Sequence, residues 1–169
     1  MKLNLGCGGN KIAGWENHDA DVDITKRLPW ADGSASHILA EHVVEHIDSA
    51  GAWSFFNECH RLLKQGGVLR VIVPSVTRMT HNYALGHGGG ALTSAEKEHI
   101  RAIMCDHGHK TVWNAHMLYA ALQTVGFSVE IVRPDRSKHV ALNGVDGHGK
   151  SIGVDRNNFE SEGVEATKS

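Results

Sequence analysis

The sequence predicts an α/β fold with a mostly parallel sheet flanked by helices, and two observations carry this prediction. First, residues 2–5 alternate apolar and polar side chains as a strand does, and they lead into a glycine-rich loop at residues 6–9. Second, apolar residues recur at helical spacing over residues 52–63, and residues 68–73 are then almost continuously apolar. Because a strand, a helix and a strand follow in succession, two parallel neighbours are expected.

Composition indicates one ordinary globular domain spanning residues 1–169. The hydrophobic fraction is 41%, the charged fraction 21% and the net charge -2, so the sequence offers no basic field for a nucleic acid. Cysteines 7, 59 and 105 are odd in number and show no CxxC spacing, which favours a reducing cytoplasm over a disulfide framework. No leader and no membrane-length apolar run are recognised, so a cytoplasmic protein without a membrane partner is expected.

The N-terminal part of the chain is unusually compressed. Only ten residues separate Gly8 from Asp19, whereas a parallel crossover with a helix needs about a dozen or more. The first helix of the fold is therefore expected to be shrunken or missing. Residues 22–25 are interpreted as a further extended segment and residues 36–40 as a buried strand.

Capping signals place the helices that follow. Ser49 is predicted to cap the first long helix, which the glycine pair at residues 66–67 would stop. Thr93 and Glu96 have capping-box spacing, and Asn114 is predicted to cap a helix that Gly126 closes.

Less regular segments complete the C-terminal half. Residues 77–90 are interpreted as a mobile loop or lid, and residues 136–158 as a long loop. A strand is predicted at residues 127–132, and residues 161–168 are predicted to form a last edge strand.

Several segments in the right order resemble the class I S-adenosylmethionine-dependent methyltransferase family. The resemblance spans roughly residues 3–76 and rests on Leu3-Asn4-Leu5-Gly6-Cys7-Gly8, on Asp23-Ile24 ahead of Leu28-Pro29-Trp30, on Ala40-Glu41-His42-Val43-Val44-Glu45-His46, and on Glu58 to Leu69 with its Gly66-Gly67. It implies a Rossmann-like sheet that is reduced at the second and third strands and has an antiparallel C-terminal edge. Residues 1–76 would then form the cofactor half, and residues 77–169 a lid and acceptor half.

The resemblance also implies S-adenosyl-L-methionine as the cofactor and assigns residues to it. The glycine loop would carry the methionine part, Asp19 would accept the ribose hydroxyls, and Asp23 with the Ile24 N–H would hold the adenine. The residues assigned to cofactor binding are Gly6, Cys7, Gly8, Asn10, Asp19, Asp23, Ile24, Leu28, Glu41 and His42.

Methyl transfer from a sulfonium is an in-line displacement, so the protein mainly has to hold donor and acceptor in line. His109, His107 and His42 are candidate catalytic residues, because a histidine can take a proton as the methyl group arrives. The alternative for His107 and His109 is an exposed polar helix end. The acceptor is expected to be a small molecule or a sugar, and a homodimer or the histidine-rich C-terminal segments could cover the open side of the trimmed site.

Three other functions are considered. A non-catalytic binding module that keeps the cofactor-like fold is the main alternative. A pyridine dinucleotide site fits poorly, because its third glycine would fall at Lys11 and its acidic residue should come about 20 residues on. Residues 42–46 match the HxxEH arrangement of inverted zinc peptidases, yet they directly follow a buried strand, so no metal ligands are assigned.

Overall fold

A computed structural model describes all residues from Met1 to Ser169 and contains one six-stranded sheet. The strands are β1 (Lys2–Leu5), β2 (Glu16–His18), β3 (Ala35–Glu41), β4 (Leu63–Pro74), β5 (Phe127–Val132) and β6 (Ser161–Lys168). Their order is β2-β1-β3-β4-β6-β5, with β1 to β4 parallel and β6 antiparallel to both of its neighbours. The predicted α/β class with a mostly parallel sheet is confirmed.

Helices pack on this sheet and bury its apolar side chains. They are α1 (Ser49–Leu62), α2 (Val76–Gly86), α3 (Ser94–Cys105), α4 (Ala115–Val125), α5 (His148–Ile152) and α6 (Val154–Glu160), with 3-10 turns at Val44–His46 and Val140–Leu142. The main core holds 25 buried residues, including the inner faces of α1 and α4. No helix combines the length and the hydropathy that crossing a bilayer requires.

The predicted compression of the N-terminal part is confirmed. Residues 6–15 connect β1 to β2 through turns without a helix, and β2 still pairs in parallel with β1. The carbonyl of His18 accepts hydrogen bonds from the N–H groups of Gly6 and Cys7 at 2.8 and 2.9 Å. The short connection thus folds the glycine loop directly onto the end of β2.

Two expectations for the neighbouring segments were wrong. Residues 22–25 form turns rather than a strand, because the Asp23 carboxylate accepts hydrogen bonds from the N–H and hydroxyl of Thr25 and curls the backbone locally. Asp48, not Ser49, caps α1, with its carboxylate accepting the Gly51 N–H at 2.7 Å.

The first long helix also ends earlier than predicted. It stops at Leu62, before the glycine pair at residues 66–67, because Leu63 already pairs with Ala35 of β3. Sheet pairing therefore overrides the local stop signal, and the glycines lie inside β4.

Local capping signals were reliable further along the chain. The Thr93 and Glu96 capping box is present at the start of α3, the Asn114 side chain caps α4, and Gly126 ends it. The strand predicted at residues 127–132 is β5.

The C-terminal half has more regular structure than predicted. Residues 77–90, interpreted as a loop, lie largely in α2, whose Met79 packs with Ile100 and Met104 of α3. Residues 136–158, also interpreted as a loop, contain α5 and most of α6. The strand at residues 161–168 is not at the edge, because β6 inserts between β4 and β5.

A buried arginine binds the segment of residues 133–146 to the sheet through hydrogen bonds and ion pairs. Arg70 of β4 donates to both carboxylate oxygens of Asp146 at 2.9 and 2.5 Å and to Glu165 of β6 at 2.7 Å. Its guanidinium also donates to the backbone carbonyls of Arg133 and Arg136. All three charged side chains are essentially inaccessible to solvent, so these bonds fix where the segment before α5 lies.

Candidate functional site

The glycine loop lies where the carboxyl ends of β1, β2 and β3 meet. Gly6 has φ +72°, and a Cβ atom there would overlap the Cγ2 atom of Val43. Gly8 has φ +46°, and a Cβ atom on it would meet nothing within 4 Å. Gly6 therefore packs closely against the turn after β3, while the backbone at Gly8 faces open space that a ligand can use.

One pocket opens beside this loop, which we call the Gly6 pocket. Its volume is about 450 Å³, and its lining residues are Gly6, Asp19, Ala20, Val22, Ile24, His42, Val43, His46 and Ile47. Asp19 comes directly after β2 and is exposed, so its carboxylate is available to a ligand. Of the residues predicted to bind the cofactor, Gly6, Asp19, Ile24 and His42 come together here.

Two predicted cofactor residues are placed differently. The Asp23 carboxylate accepts from the Thr25 hydroxyl at 2.6 Å and from its N–H at 3.0 Å, which lowers the pKa of Asp23, and this residue does not line the Gly6 pocket. The Leu28 side chain is buried in the core, and its N–H donates to Glu58, so neither group lies in the Gly6 pocket. Its apolar character reflects packing beneath the site.

A second pocket lies on the other side of the loop, and we call it the Asn10 pocket. It measures about 290 Å³, and its lining residues are Cys7, Gly9, Asn10, Glu41, His42, Gly147, His148, Lys150 and Ser151. Burial raises the pKa of the Cys7 thiol, so Cys7 is a neutral, nearly buried wall residue.

The start of α5 closes over the Asn10 pocket. The Glu41 carboxylate accepts the N–H groups of Gly147 and His148 at 2.6 and 2.9 Å, and Asn10 Nδ2 donates to the Val145 carbonyl at 2.9 Å. Burial raises the pKa of Glu41, and the two backbone donors oppose that rise. No local sequence pattern predicts this contact, since residues 136–158 were interpreted as a long loop.

A third pocket, the histidine pocket, lies beneath the turn after β3. Its volume is about 330 Å³, and its lining residues are His42, Glu45, His46, Pro74, Ile103, His107, His109, His148, Ile152, Arg156, Glu160 and Ser161. All three predicted catalytic candidates, His109, His107 and His42, therefore share one pocket. Sequence reasoning did not assign Glu45, His46 or His148 to a site, although the HxxEH pattern contains the first two.

His42 is the residue that joins the three pockets, because it lines each of them. It has φ +53°, an uncommon conformation for a residue other than glycine, and its N–H donates to the Ile72 carbonyl at 2.9 Å. Its ring lies 4.1 Å from that of His148, centroid to centroid, and its Nε2 is 3.3 Å from the Ser161 hydroxyl. Backbone strain of this kind gathers at functional sites.

Burial keeps two of the pocket histidines uncharged. It lowers the pKa of His148 to about 4, and the neighbouring His42 adds to this effect. Burial likewise lowers the pKa of His109, although Glu45 partly opposes the change. Both imidazoles are therefore neutral near pH 7, with a ring nitrogen lone pair free to accept a hydrogen bond or bind a cation.

The HxxEH pattern does not have the geometry of a zinc peptidase. Residues 44–46 form a single 3-10 turn, and His42 precedes it with a positive φ angle, so the two histidines do not lie on one face of a regular helix.

Comparison with known proteins agrees with the α/β fold of the chain. A family model described as a methyltransferase domain matches residues 13–71, about a third of the chain. A SAM-dependent methyltransferase from Archaeoglobus fulgidus is similar over 99% of this chain and 85% of its own, with a TM-score of 0.60 and 14% identity. The chain is thus similar to S-adenosylmethionine-dependent methyltransferases in fold and, over residues 13–71, in sequence.

Other members of this fold differ in length and chemistry. Phosphoethanolamine N-methyltransferase 2 from Haemonchus contortus, in complex with S-adenosyl-L-methionine, matches 99% of this chain but only 48% of its own, with a TM-score of 0.56 and 14% identity. The [4+2]-cyclase SpnF matches 99% of this chain and 73% of its own, with a TM-score of 0.57 and 14% identity. No curated protein sequence matches the chain. At these identities the likeness establishes the fold, so the reaction has to be argued from the site.

Proposed function

We propose that this protein binds S-adenosyl-L-methionine in the Gly6 and Asn10 pockets and transfers its methyl group to a small-molecule or sugar acceptor in the histidine pocket. The observation that carries the proposal is the position of His42. It forms a common wall between the two pockets beside the glycine loop and the third pocket beneath them. A donor and an acceptor on either side of this wall can be brought into line without further machinery.

The cofactor assignment rests on the groups around the loop. The open backbone at Gly8 suits the amino acid part of the cofactor, and the exposed carboxylate of Asp19 at the end of β2 suits the ribose hydroxyls. The apolar side chains of Val22, Ile24 and Ile47 line the Gly6 pocket and suit the adenine ring. Several solved structures that share the fold are named as S-adenosylmethionine-dependent enzymes, which supports the same cofactor.

The acceptor is assigned only to a chemical class, and this assignment follows from the volume of the histidine pocket and the net charge of the protein. A volume of about 330 Å³ is at the small end for ligand pockets. The net charge of -2 offers no electrostatic attraction for a nucleic acid. The three unpaired cysteines fit the reducing cytoplasm that the proposal assumes.

Two measurements test the proposal in sequence. Calorimetry of the full chain with S-adenosyl-L-methionine and with S-adenosylhomocysteine should detect binding of both. A transfer assay with pooled metabolites, read as formation of S-adenosylhomocysteine, should then identify an acceptor. Failure of either ligand to bind at millimolar concentration would overturn the proposal.

Replacing Asp19 with alanine should weaken cofactor binding about 10- to 100-fold, because hydrogen bonds between the ribose and a charged acceptor are lost. Calorimetric Kd values for S-adenosylhomocysteine measure the change. Asp155→Ala is the matched control, since Asp155 is also an exposed aspartate but lines none of the three pockets. Equal Kd values for the two variants would contradict the assignment of Asp19.

A non-catalytic binding module is the second candidate function. The side chains of Glu41 and Asn10 already form hydrogen bonds with the backbone of residues 145–148. These two polar groups beside the glycine loop are therefore less available to a cofactor, which favours the binding module. The cyclase that shares the fold shows that the fold does not require methyl transfer. Cofactor binding with no transfer to any acceptor in the screen would favour this second candidate.

A homodimer that covers the open side of the Gly6 pocket also remains a proposal, which light scattering can test.

A further inference from the structure

The histidine pocket contains a buried carboxylate without a hydrogen-bond partner. Glu45 is 1% exposed, and neither of its carboxylate oxygens accepts a hydrogen bond. The nearest cationic candidate is His42, whose Nδ1 approaches Oε1 at 3.3 Å without hydrogen-bond geometry. Burying an ionised carboxylate in this way is costly unless a cation compensates it.

Two imidazoles face the same carboxylate. Ligand atoms of Glu45, His46 and His109 all lie within 4.8 Å of one another, and the rings of His46 and His109 are 4.8 Å apart between centroids. The Nδ1 atom of His109 is also buried without a hydrogen-bond partner. Two unpartnered polar groups from remote parts of the chain thus meet at one point.

The backbone holds this group of side chains together. The carbonyl of Glu45 accepts the N–H groups of Lys110 and Thr111 at 2.7 and 3.1 Å, and the Thr111 hydroxyl donates to the carbonyls of Val44 and Ile47. These bonds attach the segment that carries His109 to the 3-10 turn that carries Glu45 and His46. The arrangement is therefore built into the fold, although its side chains come from distant segments.

We propose that Glu45, His46 and His109 bind a divalent transition-metal ion, with Zn²⁺ as the best match. Two histidines and one glutamate form a ligand set that zinc sites use, with a further coordination position left open. Zinc ligands at about 2 Å from the ion lie about 3.4 Å from one another, so small side-chain rotations would complete the site. The imidazole nitrogens favour a transition metal over Mg²⁺, which prefers oxygen ligands.

The open position would face the histidine pocket. His42, His107 and His148 line the same pocket and offer further nitrogen donors, with His42 Nδ1 3.3 Å from Glu45 Oε1. This proposal revises the expectation of no metal ligands, and it differs from the peptidase pattern because Glu45 acts as a ligand rather than as a free base. The ion would lie in the pocket proposed for the acceptor, but its binding is measured without cofactor or acceptor, so either proposal can fail alone.

A second cluster in the protein shows what distinguishes this site. Glu130, His139 and Glu165 also lie within reach of one ion. There, however, Glu165 pairs with the buried Arg70 at 2.7 Å and Glu130 pairs with Lys138 at 2.7 Å. Glu165 Oε2 and His139 Nε2 also lack hydrogen-bond partners, but both carboxylates of this cluster already have a cationic partner, so a metal ion gains less by binding among them.

Calorimetry with Zn²⁺ on untagged, chelator-stripped protein tests the proposal, with Mg²⁺ as the comparison ion. We expect one Zn²⁺ per chain and much weaker binding of Mg²⁺. Glu45→Gln and His109→Ala should each weaken Zn²⁺ binding by more than about 100-fold, since even outer-shell changes at metal sites cost 10- to 100-fold. His81→Ala and Glu130→Gln are controls that should bind like wild type, because His81 is exposed on α2 and Glu130 belongs to the compensated cluster.

A second readout guards against binding to the other histidines and against misfolding. The visible absorption of bound Co²⁺ reports its ligands, so it should be strong in wild type and in the controls and absent in Glu45→Gln and His109→Ala. Circular dichroism checks that each variant is folded. If Glu45→Gln does not fold, the comparison of His109→Ala with the controls decides the result. Absence of stoichiometric Zn²⁺ binding, or equal binding by the folded site variants and the controls, would overturn the proposal.

Discussion

Replacing Arg70 with methionine should lower the free energy of unfolding by about 3–5 kcal/mol, the cost of breaking a buried ion pair from one side. The side chain is fully buried, and its guanidinium pairs with the carboxylates of both Asp146 and Glu165. Its removal leaves two carboxylates without compensation inside the protein. Urea denaturation followed by circular dichroism measures the change.

An exposed arginine provides the control for this prediction. Arg101 also pairs with two carboxylates, those of Glu98 and Asp106, but each of the three side chains is about half-exposed. Arg101→Met should therefore change stability little, because water screens and replaces such pairs. Adding Asp146→Leu to Arg70→Met should recover part of the lost free energy of unfolding, since it removes one of the two buried carboxylates that Arg70→Met leaves without the guanidinium. If Arg70→Met and Arg101→Met have equal effects, the buried network does not contribute as proposed.

Replacing Gly6 with alanine should both destabilise the protein and abolish cofactor binding. The left-handed conformation costs an alanine about 1–2 kcal/mol, and the overlap of its methyl group with Val43 adds about 1–3 kcal/mol. Relief of that overlap requires Val43 to move, and Val43 is part of the Gly6 pocket wall. Denaturation gives the stability change, and calorimetry with S-adenosylhomocysteine gives the loss of affinity.

Gly8→Ala separates the two causes. Gly8 also has a positive φ angle, but an added methyl group there meets nothing within 4 Å. This variant should lose only the conformational part of the stability. A Gly8→Ala variant that is as unstable as Gly6→Ala would show that the overlap with Val43 is unimportant.

Features that depend on neighbouring residues could be predicted from the sequence. The Thr93 and Glu96 capping box and the Asn114 cap each act within one helical turn, so their spacing alone carries the signal. The missing helix before β2 followed from chain length, since too few residues separate Gly8 from Asp19 to build one.

Features that depend on packing were missed. The segment Val76–Gly86 is polar and ends in glycines, yet it is helical because it packs on α3 and α6 through Met79, Tyr83 and their partners. Leu28 looked like a cofactor residue from its motif, whereas burial places it in the core. Hydrophobic packing overrides weak local preferences in both cases.

The sequence by itself determined the glycine loop, the short connection between β1 and β2, and the mostly parallel α/β class of the fold. Only the tertiary structure decided that Glu45 and His46 would meet His109 in one pocket. These residues lie far apart in the chain, and what brings them together is the pair of hydrogen bonds from Lys110 and Thr111 to the Glu45 carbonyl. Spacing along a sequence reports contacts within one element, but contacts between elements exist only once the chain has packed.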